Sequence, residues 1–192
     1  GKHFVATAVQ GLGASAWWPN KDHLSDEPDS MLISIAVPKG LMNVSNGRLI
    51  RTEVLENNYT KYHWRVTKPI NNYNISLNIG DYVRIHEKLK TEDGLMDVDY
   101  YVLNENATAE KINHLKKNVA ETLEALEYWF GPYPFFEDSY KIVETAHLGM
   151  EHQSAIAYGN KYQNGYLGRD GSNTGWGKKW DFIVVHESGH EW

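Results

Sequence analysis

The sequence predicts an α+β fold in two modules, and three observations carry that prediction. Short apolar or alternating runs, bounded by turn residues, occupy the chain up to about Gly80. A helical period of apolar residues begins only at Thr108. The chain closes on "DFIVVHESGHEW", in which an apolar turn leads into a second helix. We therefore expect a β-rich domain over residues 1–80 and a mixed α/β domain over residues 81–192.

Four strands are predicted in the β-rich part. The run "MLISIAV" is closed by the turn signal Pro38-Lys39-Gly40. The segments "GRLIRTEVLE" and "YTKYHWRVT" flank Asn57-Asn58 as the two arms of a hairpin would. In "YNISLNIG" apolar side chains alternate from Tyr73 to Ile79, which predicts a strand with one buried face.

The second module mixes strands and helices. The segments "YVRIHEKLK" and "LMDVDYYVL" read as a hairpin, and "SYKIVET" as a short strand. Between them, apolar residues recur at helical spacing up to Phe130, with Thr108 as the cap and Gly131-Pro132 as the stop. A loop rich in glycine and asparagine then leads to a final helix that begins near Trp180.

Composition excludes some classes of function. The 192 residues carry a formal net charge of −6 without blocks of one sign, which argues against a nucleic-acid partner. Cysteine is absent, so a disulfide framework and a thiolate metal site are both excluded. No apolar run approaches the length of a membrane span, so we expect no membrane segment in this chain. The compartment stays open, with an extracytoplasmic location favoured over the cytoplasm.

The C-terminal "HESGHEW" predicts a metal site. His186 and His190 stand four residues apart, which places them on one helix face and lets both bind one ion. Glu187 lies about 100° around the helix, beside the metal, where a carboxylate can take a proton from water. The pattern therefore predicts one Zn²⁺ held by His186 and His190, with Glu187 as the general base.

The alternative is a helix that carries two histidines and a glutamate on a solvated face. Spacing alone would favour that alternative, whereas glutamate in the second position and the apolar "FIVV" before it favour the metal. Two histidines do not complete a catalytic zinc site, so a third ligand is needed. His147 and His152 are disfavoured for that place because neither stands at helical spacing from the pair.

A second motif, centred on Glu151, lies in "HLGMEHQSAIAYGN", 35 residues before His186. Together, "GMEH" and "HESGHEW" resemble the aminopeptidase N family of zinc metallopeptidases, gluzincins whose relatives include the leukotriene hydrolases. That family has Gly-x-Met-Glu-Asn ahead of His-Glu-x-x-His. The segments "WWPNKDHLSDEPD" and "YWFGPYPF" resemble two further family segments, so the likeness runs along nearly the whole chain.

The resemblance implies a saddle-like β-domain, present in part, followed by the start of a thermolysin-like catalytic domain. It makes His186 and His190 the zinc ligands and Glu187 the base. In the family the third ligand is a glutamate on the next helix, at a position beyond Trp192. We therefore expect this chain to be an N-terminal fragment of a longer protein, with weak zinc binding and negligible peptidase activity by itself.

The resemblance also assigns substrate-binding residues. Glu151 matches the carboxylate that binds the free α-amino group of the substrate, and Gly149 and Met150 match the backbone along which the peptide lies. Gln10 falls roughly where the family has a glutamate or glutamine that also contacts the amino group. His152 replaces the asparagine of the family motif; it is expected either to line the substrate pocket or to be exposed without a role.

Three functions follow from these residues. The favoured one is a zinc aminopeptidase that removes N-terminal residues from peptides with a free N-terminus. The second is a related zinc endopeptidase or epoxide hydrolase, and the third is a non-catalytic homologue that serves as a binding module. The non-catalytic homologue is disfavoured, because the chain contains all the local catalytic residues: His186, Glu187, His190 and Glu151.

Overall fold

The computed structural model describes residues 3–192, in which strands dominate and two helices follow late in the chain. The first six strands, in chain order, are β1 Val5–Ala6, β2 Met31–Pro38, β3 Met42–Val44, β4 Arg48–Leu55, β5 Tyr59–Val66 and β6 Asn78–Gly80. The later elements are β7 Tyr82–Thr91, β8 Gly94–Leu103, α1 Ala109–Phe130, β9 Tyr140–Glu144, β10 Gly149–Met150, β11 Ile156–Tyr158 and α2 Phe182–Gly189.

Two three-stranded antiparallel sheets form the first part of the chain. One has the order β2-β5-β4 and the other the order β1-β6-β3. Strand β2 buries Ile33 and Val37 and half-buries Ile35 on one face, while Ser34 and Ala36 on the other face are exposed, as a half-buried strand requires. Ile33 and Ile35 belong to the core cluster that contains the fully buried Trp64 of β5.

A mixed five-stranded sheet forms the second part, in the order β10-β11-β9-β8-β7. Strands β8, β9 and β11 are parallel, and the strands at the two edges, β7 and β10, are antiparallel to their neighbours. All five residues of β9 are buried, because helices and strands cover both faces of the sheet at its centre. Helices α1 and α2 pack on each other, with Leu115, Val119 and Ile183 in the shared core.

The predicted α+β class is confirmed, with three differences in detail. The predicted strand "YNISLNIG" is wrong up to Leu77, since Asn72–Asn74 form a 3-10 turn capped by the side chain of Asn71 and only Asn78–Gly80 pairs as a strand. Asparagine side chains bond to nearby backbone and so compete with a strand ladder. Phe130, predicted on the buried face of α1, is 67% exposed because the helix ends there. Helix α2 begins at Phe182, two residues after Trp180.

Strand β6 ends at Gly80 and β7 begins at Tyr82. The division into domains at residues 80 and 81 stays a prediction.

Neither helix of the described residues has both the length and the apolar character that crossing a membrane requires.

Candidate active site

The buried carboxylate of Asp181 fixes the start of α2. Its oxygens accept hydrogen bonds from the backbone N–H groups of Ile183 and Val184, as an N-cap does. Three side chains outside the helix also bond to it at 2.7 to 2.8 Å: Tyr158, Asn160 and His114. The backbone N–H of Asp181 donates to Asn118 of α1 at 2.7 Å. Helix α2 is therefore held rigidly to α1 and β11 just ahead of its histidines.

The two histidines of α2 converge as their spacing predicts. Their Nε2 atoms lie 3.4 Å apart, and both side chains are exposed. Two nitrogens on a tetrahedral zinc, with bonds of about 2.0–2.1 Å, would stand about 3.3 Å apart. The Phe182 ring stacks on His186 with centroids 5.3 Å apart, which fixes that imidazole. His186 and His190 therefore fit two of the ligands of a zinc ion.

Glu187 turns away from solvent into the space between α2 and β10. Glu187 is 6% exposed, and one of its carboxylate oxygens lies within 4.8 Å of a ring nitrogen of each histidine. Burial, and after it the negative charge of Glu151, raise the pKa of Glu187 to about 7. A carboxylate so placed can accept a proton beside the histidine pair.

Strand β10 lies directly against Glu187 because residue 149 is glycine. A methyl group added there would overlap the carboxylate of Glu187 and would come within 2.8 Å of Ile183 Cγ2. Gly149 therefore permits the close approach of the strand to the helix, a role that adds to the one predicted from the motif.

Gly149→Ala should lower the free energy of unfolding by roughly 1–3 kcal/mol, since the new methyl group must displace Glu187 or Ile183. Urea denaturation measures the change. Gly189→Ala in α2 is the matched control, because nothing lies within 4 Å of its added methyl group. Equal stability of the two variants would contradict the close contact.

Glu151, the residue after β10, meets two side chains from the first part of the chain. Gln10 Nε2 donates to Glu151 Oε1 at 2.7 Å, and the Tyr73 hydroxyl donates to the same oxygen at 3.0 Å. The structure thus brings together Gln10 and Glu151, which are 141 positions apart. Tyr73 was not among the predicted site residues, and no sequence signal marks it, because its contact depends on the 3-10 turn.

His152 is fully buried, so the alternative in which it is exposed is wrong. Burial lowers its pKa to about 3, which leaves the ring neutral at physiological pH. Its ring lies edge-on to that of His147, 6.3 Å away, and neither nitrogen of His152 has a hydrogen-bond partner within residues 3–192. A role for His152 in substrate binding stays a prediction.

Glu191, the residue after the second histidine, links α2 to the turn that follows Glu151. Both of its carboxylate oxygens accept the backbone N–H of Ser154, at 3.1 and 3.2 Å, and one also accepts the Tyr133 hydroxyl at 2.6 Å. Ser154 has φ of 55°, an uncommon conformation for serine that these bonds hold in place. Sequence analysis missed this link, since nothing local distinguishes Glu191 from a solvated acid.

Several zinc metallopeptidases are among the solved structures that this chain resembles. A two-domain M1 zinc metallopeptidase mutant bound to L-tryptophan matches 98% of this chain with a TM-score of 0.77 at 16% identity. The M1 zinc metallopeptidase from Deinococcus radiodurans matches with a TM-score of 0.75 at 16% identity. A mutant from the same organism, bound to a Tyr-Ser-Ala substrate, matches with a TM-score of 0.76, also at 16% identity.

At this identity the likeness establishes the fold, which is that of the N-terminal part of an M1 peptidase. The chain spans 39% of the length of each of these three structures while matching over 98% of its own. No protein-family model matches the sequence, and no curated protein matches it.

Proposed function

We propose that the protein carrying this chain is a zinc-dependent aminopeptidase, which removes N-terminal residues from peptides. The observation that carries the proposal is the position of Glu151 relative to α2. Glu151 follows the strand that packs on Glu187, and its charge acts on the Glu187 carboxylate. The carboxylate that would bind a substrate amino group therefore lies close to the proposed base, Glu187.

Glu151 supplies the preference for a free N-terminus. An ammonium group that leaves water needs a charged partner, and a carboxylate is the strongest one available. Substrates whose α-amino group pairs with Glu151 place their first peptide bond toward α2. A peptide bond inside a chain has no ammonium group beside it and gains nothing from Glu151.

His186 and His190 would hold the zinc ion, together with a third ligand outside this chain. Bound zinc would polarise the substrate carbonyl and increase the acidity of a water molecule. Glu187 takes a proton from the attacking water and passes it to the leaving nitrogen. Its burial between α2 and β10 restricts the carboxylate, which has one oxygen within 4.8 Å of a ring nitrogen of each histidine.

The backbone of β10 would align the peptide. Strand β10 is at the edge of the five-stranded sheet, where it pairs with β11 on one side. An extended peptide can add to such an edge as a further strand through main-chain hydrogen bonds. Gly149 and Met150 supply those groups, and Glu151 receives the amino end of the peptide.

The proposal also covers the domain architecture. Residues 1–80 would belong to a saddle-like β-domain, and residues 81–192 to the front of a thermolysin-like catalytic domain. Because the chain spans 39% of the peptidase structures it matches, catalytic activity is proposed for a longer protein that contains it.

The decisive experiment measures zinc content and peptidase activity of that longer protein. We expect chelator-sensitive hydrolysis of leucine p-nitroanilide at a rate at least a hundredfold above that of its N-acetylated form, because a buried charge pair contributes roughly 3 kcal/mol. Equal rates on both substrates would indicate an endopeptidase. Zinc-free, inactive protein would favour the non-catalytic homologue. The 192-residue chain alone should bind zinc weakly and show negligible hydrolysis.

Glu151→Ala in the longer protein should raise KM for aminoacyl-arylamides by roughly tenfold to a hundredfold, because the substrate ammonium loses its partner. Zinc content should not change, which atomic absorption can verify. Glu105→Ala, at an acid in the 3-10 turn before α1, is the matched control and should leave KM unchanged. Loss of zinc from Glu151→Ala would show that Glu151 is a metal ligand instead.

A further inference from the structure

The two oxygens of Glu151 have different surroundings. Oε1 accepts two hydrogen bonds, from Gln10 Nε2 at 2.7 Å and from the Tyr73 hydroxyl at 3.0 Å. Oε2 accepts none from the side chains and backbone of residues 3–192. One oxygen is therefore occupied by protein donors and the other is available to a ligand.

Tyr73 is the more firmly held of the two donors. Its backbone N–H donates to Asn71 Oδ1, and the Asn72 side chain donates to the carbonyls of Lys21 and Asp26 at 3.0 and 2.9 Å. Asn46 donates to the carbonyl of Asn74 at 2.9 Å, on the other side of Tyr73. Gln10, by contrast, is exposed.

We infer that Tyr73 is a positioning residue that fixes the Glu151 side chain, with Oε1 bonded to the protein and Oε2 directed at the substrate amino group. The inference rests on the proposed function of Glu151 as the amino-group anchor. A fixed carboxylate loses less side-chain freedom when an ammonium binds, so the affinity for that group rises.

The hydroxyl of Tyr73 acts as a donor over the whole neutral range. Burial, followed by the charge of Glu151, raises the pKa of Tyr73 to about 12, so the proton stays on the hydroxyl. A phenylalanine at this position would keep the ring and remove only the hydrogen bond. Gln10 alone would then hold Oε1.

The test measures amine binding by the 192-residue chain itself, so it needs neither zinc nor turnover. NMR titration with L-leucinamide gives the dissociation constant, and N-acetyl-L-leucinamide serves as the ligand without a charged amino group. We expect Tyr73→Phe to weaken leucinamide binding roughly tenfold, as loss of a hydrogen bond to a charged group does. Tyr62→Phe, which removes a partly buried hydroxyl bonded to the Leu41 carbonyl, should leave binding unchanged.

The outcomes separate this inference from the function it rests on. Wild-type protein that binds leucinamide no better than the acetylated ligand would refute the amino-group site and the inference together. Wild-type binding that persists at full strength in Tyr73→Phe would refute the inference alone. A purely structural role would lower the melting temperature of Tyr73→Phe without changing the ratio of the two affinities. As a second readout, Glu151→Gln should lower the pKa of Tyr73 from about 12, because the substitution removes the negative charge that helps to raise this pKa.

Discussion

Glu187→Gln should lower kcat of the longer protein by roughly 10²–10⁴-fold while zinc stays bound, since a general base contributes about that factor. Glutamine has nearly the same shape and fills the same buried space against Gly149, but it cannot accept a proton at neutral pH. Steady-state kinetics with an aminoacyl-arylamide, alongside metal analysis, measures both quantities.

The matched control is Glu124→Gln at an exposed position of α1, which should leave kcat unchanged. Two results would contradict the assignment of Glu187 in different ways. An unchanged kcat would mean that another group takes the proton. Loss of zinc would mean that Glu187 binds the metal. That alternative is specific, because Glu187 lies within 4.8 Å of both histidines.

Asp181→Ala should reduce the free energy of unfolding by roughly 3–5 kcal/mol. Loss of an N-cap costs about 1 kcal/mol, and each buried polar partner left without a hydrogen bond adds about 1–3 kcal/mol. Tyr158 and Asn160 are both buried and both bond to this carboxylate. The fraying of α2 should also abolish zinc binding at His186 and His190.

Urea denaturation of the 192-residue chain measures the effect on stability, and zinc titration measures the effect on the site. Asp29→Ala is the control, because Asp29 is exposed and its loss removes no buried hydrogen bond. A change of less than about 1 kcal/mol in Asp181→Ala would show that the network around this carboxylate adds little beyond an ordinary helix cap.

Local patterns predicted much of the candidate site. Four-residue spacing placed His186 and His190 on one helix face, and the structure puts their Nε2 atoms 3.4 Å apart. The Asp181 cap was also readable, since an aspartate directly before "FIVV" is a helix-start signal, yet the helix was predicted to begin near Trp180. Roles carried over by resemblance remain predictions wherever geometry alone cannot test them.

Contacts between distant segments could not be predicted in this way. The hydrogen bond between Tyr73 and Glu151 spans 78 positions. It depends on a 3-10 turn in a segment whose alternating apolar residues predicted a strand. The hydrogen bond between Glu191 and Ser154 joins two segments, and neither sequence contains a pattern that predicts contact with the other. Periodicity reports which face of an element is buried, but it does not report which other element covers that face.

The shortness of β10 has a consequence for the proposed peptidase. An edge of only two residues, Gly149 and Met150, offers a peptide very few main-chain partners. A peptide that slid along by two positions would place other residues at β10 but would carry its amino group away from Glu151, so the pairing of that group with Glu151 would favour a single alignment. In that alignment the amino end stops at Glu151, so each productive encounter would shorten the peptide by one residue from the same end.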